Sequence, residues 1–224
     1  MQVSVAYLAV IIIWSTTPLG IVWSSETVSP TFAVLLRMLI AIIPGLAIMK
    51  LAHINLPWSR QALKIYCYSS IGVFGGMIFS YFSARYLSSG LMSLVFGLAP
   101  VFSGLLAQKI LNEPKFTHVK SLALMVALLG LLIVCFDSIS LDGASIIGIV
   151  FILLGVFFFS LSGVMVKSVK IEIHPLATTV GALSFSLPLF VLTWWLTDGT
   201  LPYQQWQARS ILAILYLGIF GSLV

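Results

Sequence analysis

Ile71-Gly72-Val73-Phe74-Gly75-Gly76-Met77 is matched 146 positions later by Leu217-Gly218-Ile219-Phe220-Gly221-Ser222-Leu223. At an offset of 145, Ser29-Pro30 falls on His174-Pro175 and Trp14-Ser15 on Phe159-Ser160. One residue of drift is ordinary for diverged halves, so the chain reads as a duplicated unit. The stretch is apolar and rich in glycine, and what surrounds it has the same character.

Apolar residues make up 60% of the 224 and charged residues 8%, against about 25% charged in an ordinary soluble domain. Water cannot accommodate that much apolar surface, and a bilayer can. Seven stretches are long enough to cross the ~30 Å hydrocarbon layer as helices: 4–23, 31–49, 63–84, 89–111, 118–136, 145–167 and 176–196. An eighth starts near Ser210; from Ile211 to Val224 it has 14 residues, too few to span. The first stretch has no basic segment before it and no small-x-small site after it, which argues against a cleaved signal peptide. Ser29-Pro30 supplies a helix cap followed by proline in the first turn. The expected fold class is an all-α polytopic membrane protein.

Charge gives the orientation. Lys50, Arg60, Lys64, Lys109, Lys115, Lys120, Lys167 and Lys170 fall in the connections after the second, fourth and sixth stretches. The alternate connections hold Arg85 and Arg209 beside Glu26, Asp137, Asp142 and Asp198. The N-terminus is therefore expected in the cytoplasm of a cell membrane, plasma or bacterial inner. The loop after the first stretch has Glu26 and no basic residue, whereas its counterpart after the sixth has Lys167 and Lys170. A five-helix unit at 1–137 and a partial second unit at 145–224, upside down to the first, satisfy both patterns. By that symmetry a complete second unit would end near roughly 281, so the second unit is read as incomplete. Inverted repeats are a recurrent plan of solute carriers, with the site near the midplane between halves.

Several pieces, in this order and spacing, carry a family resemblance. They are Trp14-Ser15 with Pro18, Phe32-Ala33-Val34-Leu35-Leu36-Arg37-Met38-Leu39-Ile40-Ala41, Tyr81-Phe82-Ser83-Ala84, Leu98-Ala99-Pro100-Val101-Phe102, Glu113 with Phe116-Thr117, and Gly130. The chain resembles the drug/metabolite transporter superfamily, specifically its EamA-type members. The resemblance implies ten-helix carriers that move amino acids, other metabolites or drugs by alternating access. Pro114 departs from the family's usual basic or small residue, and the second repeat is short.

Arg37 is the one charged side chain well inside a stretch, about 9 Å below Thr31 at 1.5 Å per residue. Such a charge faces a cavity or partner, so its guanidinium is a candidate for a solute carboxylate; snorkelling, or bonding to the first helix, is the alternative. Trp14, Ser15, Thr16 and Thr17 stand at similar depth, and Pro18 frees the Trp14 carbonyl and kinks the helix. Gly97 and Pro100 predict a bend in the fourth stretch. Ser160, Ser162 and Ser184, near Gly163, Ser186 and Pro188, are candidates for the opposite wall, with helix packing as the competing role. The glycines Gly72, Gly75 and Gly76 are expected to permit close helix contact, and Tyr81 to sit in the interfacial aromatic belt.

Cys67 and Cys135 have no metal or redox spacing and are read as buried, inert thiols; His53, His118 and His174 lie at loops or helix starts. No metal, cofactor or nucleic-acid partner is expected. No acidic residue lies deep in a stretch, which favours neutral, zwitterionic or anionic solutes over cations. There is no converging acid, base and nucleophile set for a membrane enzyme, and no GxxxxGK[ST] for a pump. The sequence thus points to a secondary carrier of an amino acid or related organic anion or zwitterion, working in a lipid bilayer. A fragment that is inactive or needs a partner is the alternative, a membrane-embedded enzyme a weaker one, and a homodimer is compatible with either of the first two.

Overall fold

The computed structural model describes residues 3–136, 143–201 and 203–222. Among them secondary structure is helical throughout, and six helices are long and apolar enough to cross a membrane. The first two are α1 (Val3–Ser24) and α2 (Pro30–Leu51). The third span, Arg60–Ser83, is α3 (Arg60–Ile71), a π-helical turn at Gly72–Gly76, and α4 (Met77–Ser83). The fourth, Ser89–Ile110, is α5 (Ser89–Phe96), a turn at Gly97 and Leu98, and α6 (Ala99–Ile110). The last two are α8 (Gly143–Ser168) and α9 (Pro175–Thr197). The apolar helices α7 (His118–Phe136) and α10 (Ala208–Ile219) follow the fifth and eighth predicted stretches. The chain is a multi-pass α-helical membrane protein.

Local chemistry sets the helix ends. Ser59 and Ser88 accept hydrogen bonds from the Ala62 and Leu91 N–H groups, and His174 Nδ1 accepts from Leu176. Pro30 and Pro175 occupy first turns, where a missing N–H costs nothing. Reversals after α2, α6 and α9 use left-handed residues: His53, Asn112 and Gly199.

Lipid is as apolar as leucine, so helices here associate through close packing rather than hydrophobic exclusion. The π-helical turn lies along α8, where glycines bring backbones together. A Cβ on Gly72 would stand 2.6 Å from Ser162, and one on Gly75 2.7 Å from Phe158. Beside them Phe79 stacks on Phe158 with centroids 5.6 Å apart, and Phe102 meets Phe157 at 6.3 Å. Aromatic pairs of this kind are worth about 0.5–1.5 kcal/mol each. Elsewhere α2 packs on α9, α1 and α2 both pack on α10, and α8 and α9 both pack on the third span. α7 packs on α5 and leaves Val119, Leu122 and Met125 exposed.

The connections gather at two ends. Lys167 pairs with Glu113 at 2.8 Å at one end; at the other Arg209 pairs with Glu26 at 3.3 Å and lies over Trp23.

Two expectations are corrected. Tyr81 is fully buried among core side chains rather than placed in an interfacial belt, because α4 turns it toward the bundle. Cys67 is a free thiol on an exposed face of α3, since an apolar stretch in lipid need not turn inward. The Cys135 side chain, Asp137, Asp142 and the boundary of the first unit at 137 lie outside the described residues.

Candidate functional site

A cavity of about 440 Å³ lies where α1, α2, the third span, α5, α8 and α9 converge on the end of α10. Arg37 is the charged side chain on its wall, and it is 0% exposed. Helix α2 can bury it because two of its nitrogens are occupied: Nε donates to Ser222 Oγ at 2.9 Å and Nη2 to the Gly221 carbonyl at 2.8 Å. A Cβ on Gly221 would stand 3.2 Å from Nη2, so glycine permits that approach. Nη1 is buried and has no hydrogen-bond partner among the described residues. Neither predicted alternative for Arg37 occurs. It does not snorkel, and it bonds to the segment after α10 rather than to α1.

From α1, Trp14, Ser15, Thr17 and Pro18 line the cavity with Arg37, and Trp14 is edge-on to Phe159 at 6.3 Å. The helix runs unbroken through Pro18. Its hydroxyls satisfy the local backbone: Ser15 and Thr17 donate to the Ile12 and Ile13 carbonyls at 2.9 and 2.7 Å. Thr16 faces α10, sharing a 2.7 Å hydrogen bond with the Tyr216 hydroxyl.

The remaining predicted residues stand elsewhere. Ser160 is buried and donates to the Ala99 carbonyl at 3.2 Å, tying α8 to the interrupted fourth span. Ser162 is buried against Gly72. Ser184 donates to the Val180 carbonyl at 2.8 Å and lines a shallow outer groove with Leu39 and Pro188. Gly97 and Pro100 interrupt the fourth span as expected, away from the cavity wall. What sequence reasoning missed is the apolar wall of Met38, Met77, Met92 and Phe96, with Gly221 and Ser222 at its far side. The repeat pairing of Gly75-Gly76 with Gly221-Ser222 was a usable signal for the latter. The methionines carried none, being indistinguishable in sequence from lipid-facing residues.

At the Glu26 end a polar recess of about 540 Å³ gathers Glu26, Arg85 and Asp198. Side-chain hydrogen bonds from Ser29 and from Thr200, the latter at 2.7 Å, hold the Asp198 carboxyl below its ordinary range. Neutral hydroxyls donating to the ionised form have that effect. Among the described residues no cluster of His, Cys, Asp or Glu could hold a metal ion.

This arrangement, a buried cation on the wall of a cavity between membrane helices, suits solute binding within the bilayer. Comparison with known proteins agrees. Residues 3–136 match the model of the EamA-like transporter family. The chain is 26% identical over 239 aligned positions to the uncharacterized transporter YdfC of Bacillus subtilis, an alignment covering 100% of this chain and 72% of the relative. It is 27% identical over 164 positions to an uncharacterized transporter of Archaeoglobus fulgidus, covering 68% of this chain and 54% of that protein. The family model spans more than half of the chain, and this membrane protein belongs to the EamA-like transporter family, within the drug/metabolite transporter superfamily.

Proposed function

We propose that the chain is a secondary carrier for a small organic anion or zwitterion such as an amino acid, binding it in the Arg37 cavity and exposing it to each side in turn. The observation that carries this reading is Arg37, the charged residue lining the cavity, whose Nη1 is buried and unpartnered among the described residues. A buried donor left unmatched costs about 1–3 kcal/mol, and more when charged, so a guanidinium that turns Nη1 toward a carboxylate in the cavity recovers what the empty site forfeits.

The packing pattern supports an inverted repeat. Exchanging α1 with α8, α2 with α9 and the third span with α10 turns α1 on α10 into α8 on the third span. It turns α2 on α10 into α9 on the third span, and leaves α2 on α9 unchanged. Trp14 and Phe159, equivalent at the 145 offset, touch each other as residues near a two-fold axis do. The N-terminus is assigned to the cytoplasm of the cell membrane on the charge bias alone.

The test is counterflow of labelled amino acids and organic acids into proteoliposomes, with Arg37→Ala beside the wild type. Accumulation lost in the variant supports the carrier; chemical alteration of the solute would point to an enzyme instead.

A second reading, in which the chain transports only alongside a partner chain or a second copy, is favoured by Trp14. It lines the cavity and is still 58% exposed, so part of that wall lacks protein cover among the described residues. Uptake that rises with the square of protein density, rather than in proportion to it, identifies this case.

A further inference from the structure

The charge and hydrogen-bonding capacity of the cavity discriminate among the solutes that the carrier reading, on which this inference rests, leaves open. Arg37 contributes one positive charge, and among the described residues no Asp or Glu lines the cavity. An anion makes the occupied cavity neutral. A zwitterion pairs its carboxylate with Arg37 but brings an ammonium with no counter-charge, and the cavity keeps a net positive charge. In a low-dielectric interior that residue of charge is the costly part.

The hydroxyls do not offset it with ionic partners. Ser15, Thr17, Ser80, Ser93, Thr179 and Ser222 each donate their proton to a backbone carbonyl of their own segment, at 2.6–3.1 Å. They present neutral lone pairs to the cavity, and the Ser222 oxygen already receives Arg37 Nε. The rest of the wall is thioether, aliphatic and aromatic: Met38, Met77, Met92, Phe96 and Phe159. At about 440 Å³ the space exceeds what a two- or three-carbon acid fills and falls within the usual range for a ligand carrying a ring or chain.

We infer that the preferred solute is a monocarboxylate with an apolar, ring-sized tail and no ammonium group, its carboxylate paired with the Arg37 guanidinium, which turns Nη1 toward it, and its tail among Met92, Phe96 and Phe159.

Three compounds that share a phenylethyl tail isolate the charge: 3-phenylpropanoate, phenylalanine and 2-phenylethylamine, an anion, a zwitterion and a cation. Each is titrated by equilibrium dialysis against the full chain in nanodiscs. The expected order is anion, zwitterion, cation, with the anion at least about tenfold tighter than phenylalanine, and with that preference gone in Arg37→Gln. Phenylalanine binding as tightly as phenylpropanoate, with both lost in Arg37→Gln, overturns the inference and leaves the carrier reading standing. Binding of none of the three also overturns it, and counterflow with the wider solute panel then judges the carrier separately. An anion preference that survives in Arg37→Gln overturns the assignment to Arg37.

If Arg37→Gln does not fold, the wild-type ratio and Ser93→Phe decide. Ser93 is exposed on the cavity wall next to Met92, on the same helix as Phe96, and a phenyl group there competes for the tail space while Arg37 is kept. Phenylpropanoate binding should fall at least about tenfold; unchanged binding places the ligand elsewhere.

Discussion

Arg37 reaches two acceptors, and its third nitrogen has no partner among the described residues, so the site responds to changes that do not touch the arginine itself. Gly221→Ala would set a methyl 3.2 Å from Nη2 and 3.0 Å from the Leu217 carbonyl. The guanidinium must then shift by a few tenths of an ångström, loosening its bond to the Gly221 carbonyl, and solute affinity is expected to fall about tenfold, measured by direct binding. Gly130→Ala is the control, because nothing lies within 4 Å of a Cβ there and the helix gains about 0.5–1 kcal/mol from losing glycine. It should bind normally and melt no lower than the wild type. Arg37 was legible in the sequence because a lone charge in an apolar helix is costly enough to need a reason. Met77, Met92 and Phe96 were not, since in a chain that is 60% apolar nothing separates a cavity wall from a lipid-facing ridge. Ser160 and Ser162 stayed open between two roles for a related reason: hydroxyls in membrane helices line cavities and glue helices with equal chemistry, and only the neighbours decide.

Helix boundaries followed from caps and prolines, and the described helices agree with the predicted stretches to within a few residues. The π-helical turn was not legible. It arises because Gly72, Gly75 and Gly76 let α8 approach so closely that the third span takes up an extra residue there. Gly75→Val would drive a side chain into the Phe158 ring, 2.7 Å away. Overpacking of this kind costs about 1–3 kcal/mol, and thermal melting in detergent should show the loss. The connection after α9 makes a weaker prediction with a definite sign. Asp198 is held below its ordinary 3.8, so its stabilisation is complete above that value and fades as pH falls through the lower folded value. The acid limb of a melting-temperature profile below about pH 4 should be shallower in Asp198→Asn. The difference will be small, because the carboxylate is largely solvated.

At the scale of the molecule, the proposed repeat makes the two ends of the bundle copies of each other. In this conformation the Glu26 end is tied across the proposed halves: Thr27 and Ser210 are hydrogen-bonded at 3.0 Å, Ser210 reaches the Trp23 carbonyl at 2.8 Å, and Glu26 holds Arg209, while the other end has its own pair, Lys167 with Glu113. Under the offsets of 145 and 146, Thr27 corresponds to Glu172 and Ser210 to Lys64. Those two carry opposite charges at the other end, and they are not among the described ion pairs. A carrier with inverted halves should therefore fasten Lys64 to Glu172 when it releases Thr27 from Ser210, each end passing through the state the other has left. Cysteine pairs at 27 and 210, or at 64 and 172, in a background with Cys67 and Cys135 replaced, test this directly. Each disulfide should stop counterflow. The first should leave a reporter cysteine at Ser15 open to labelling only from the Lys64 side of the membrane, and the second only from the Glu26 side. Labelling from one fixed side, whichever pair is closed, would mean that the ends do not alternate and that the sequence repeat carries no mechanical exchange.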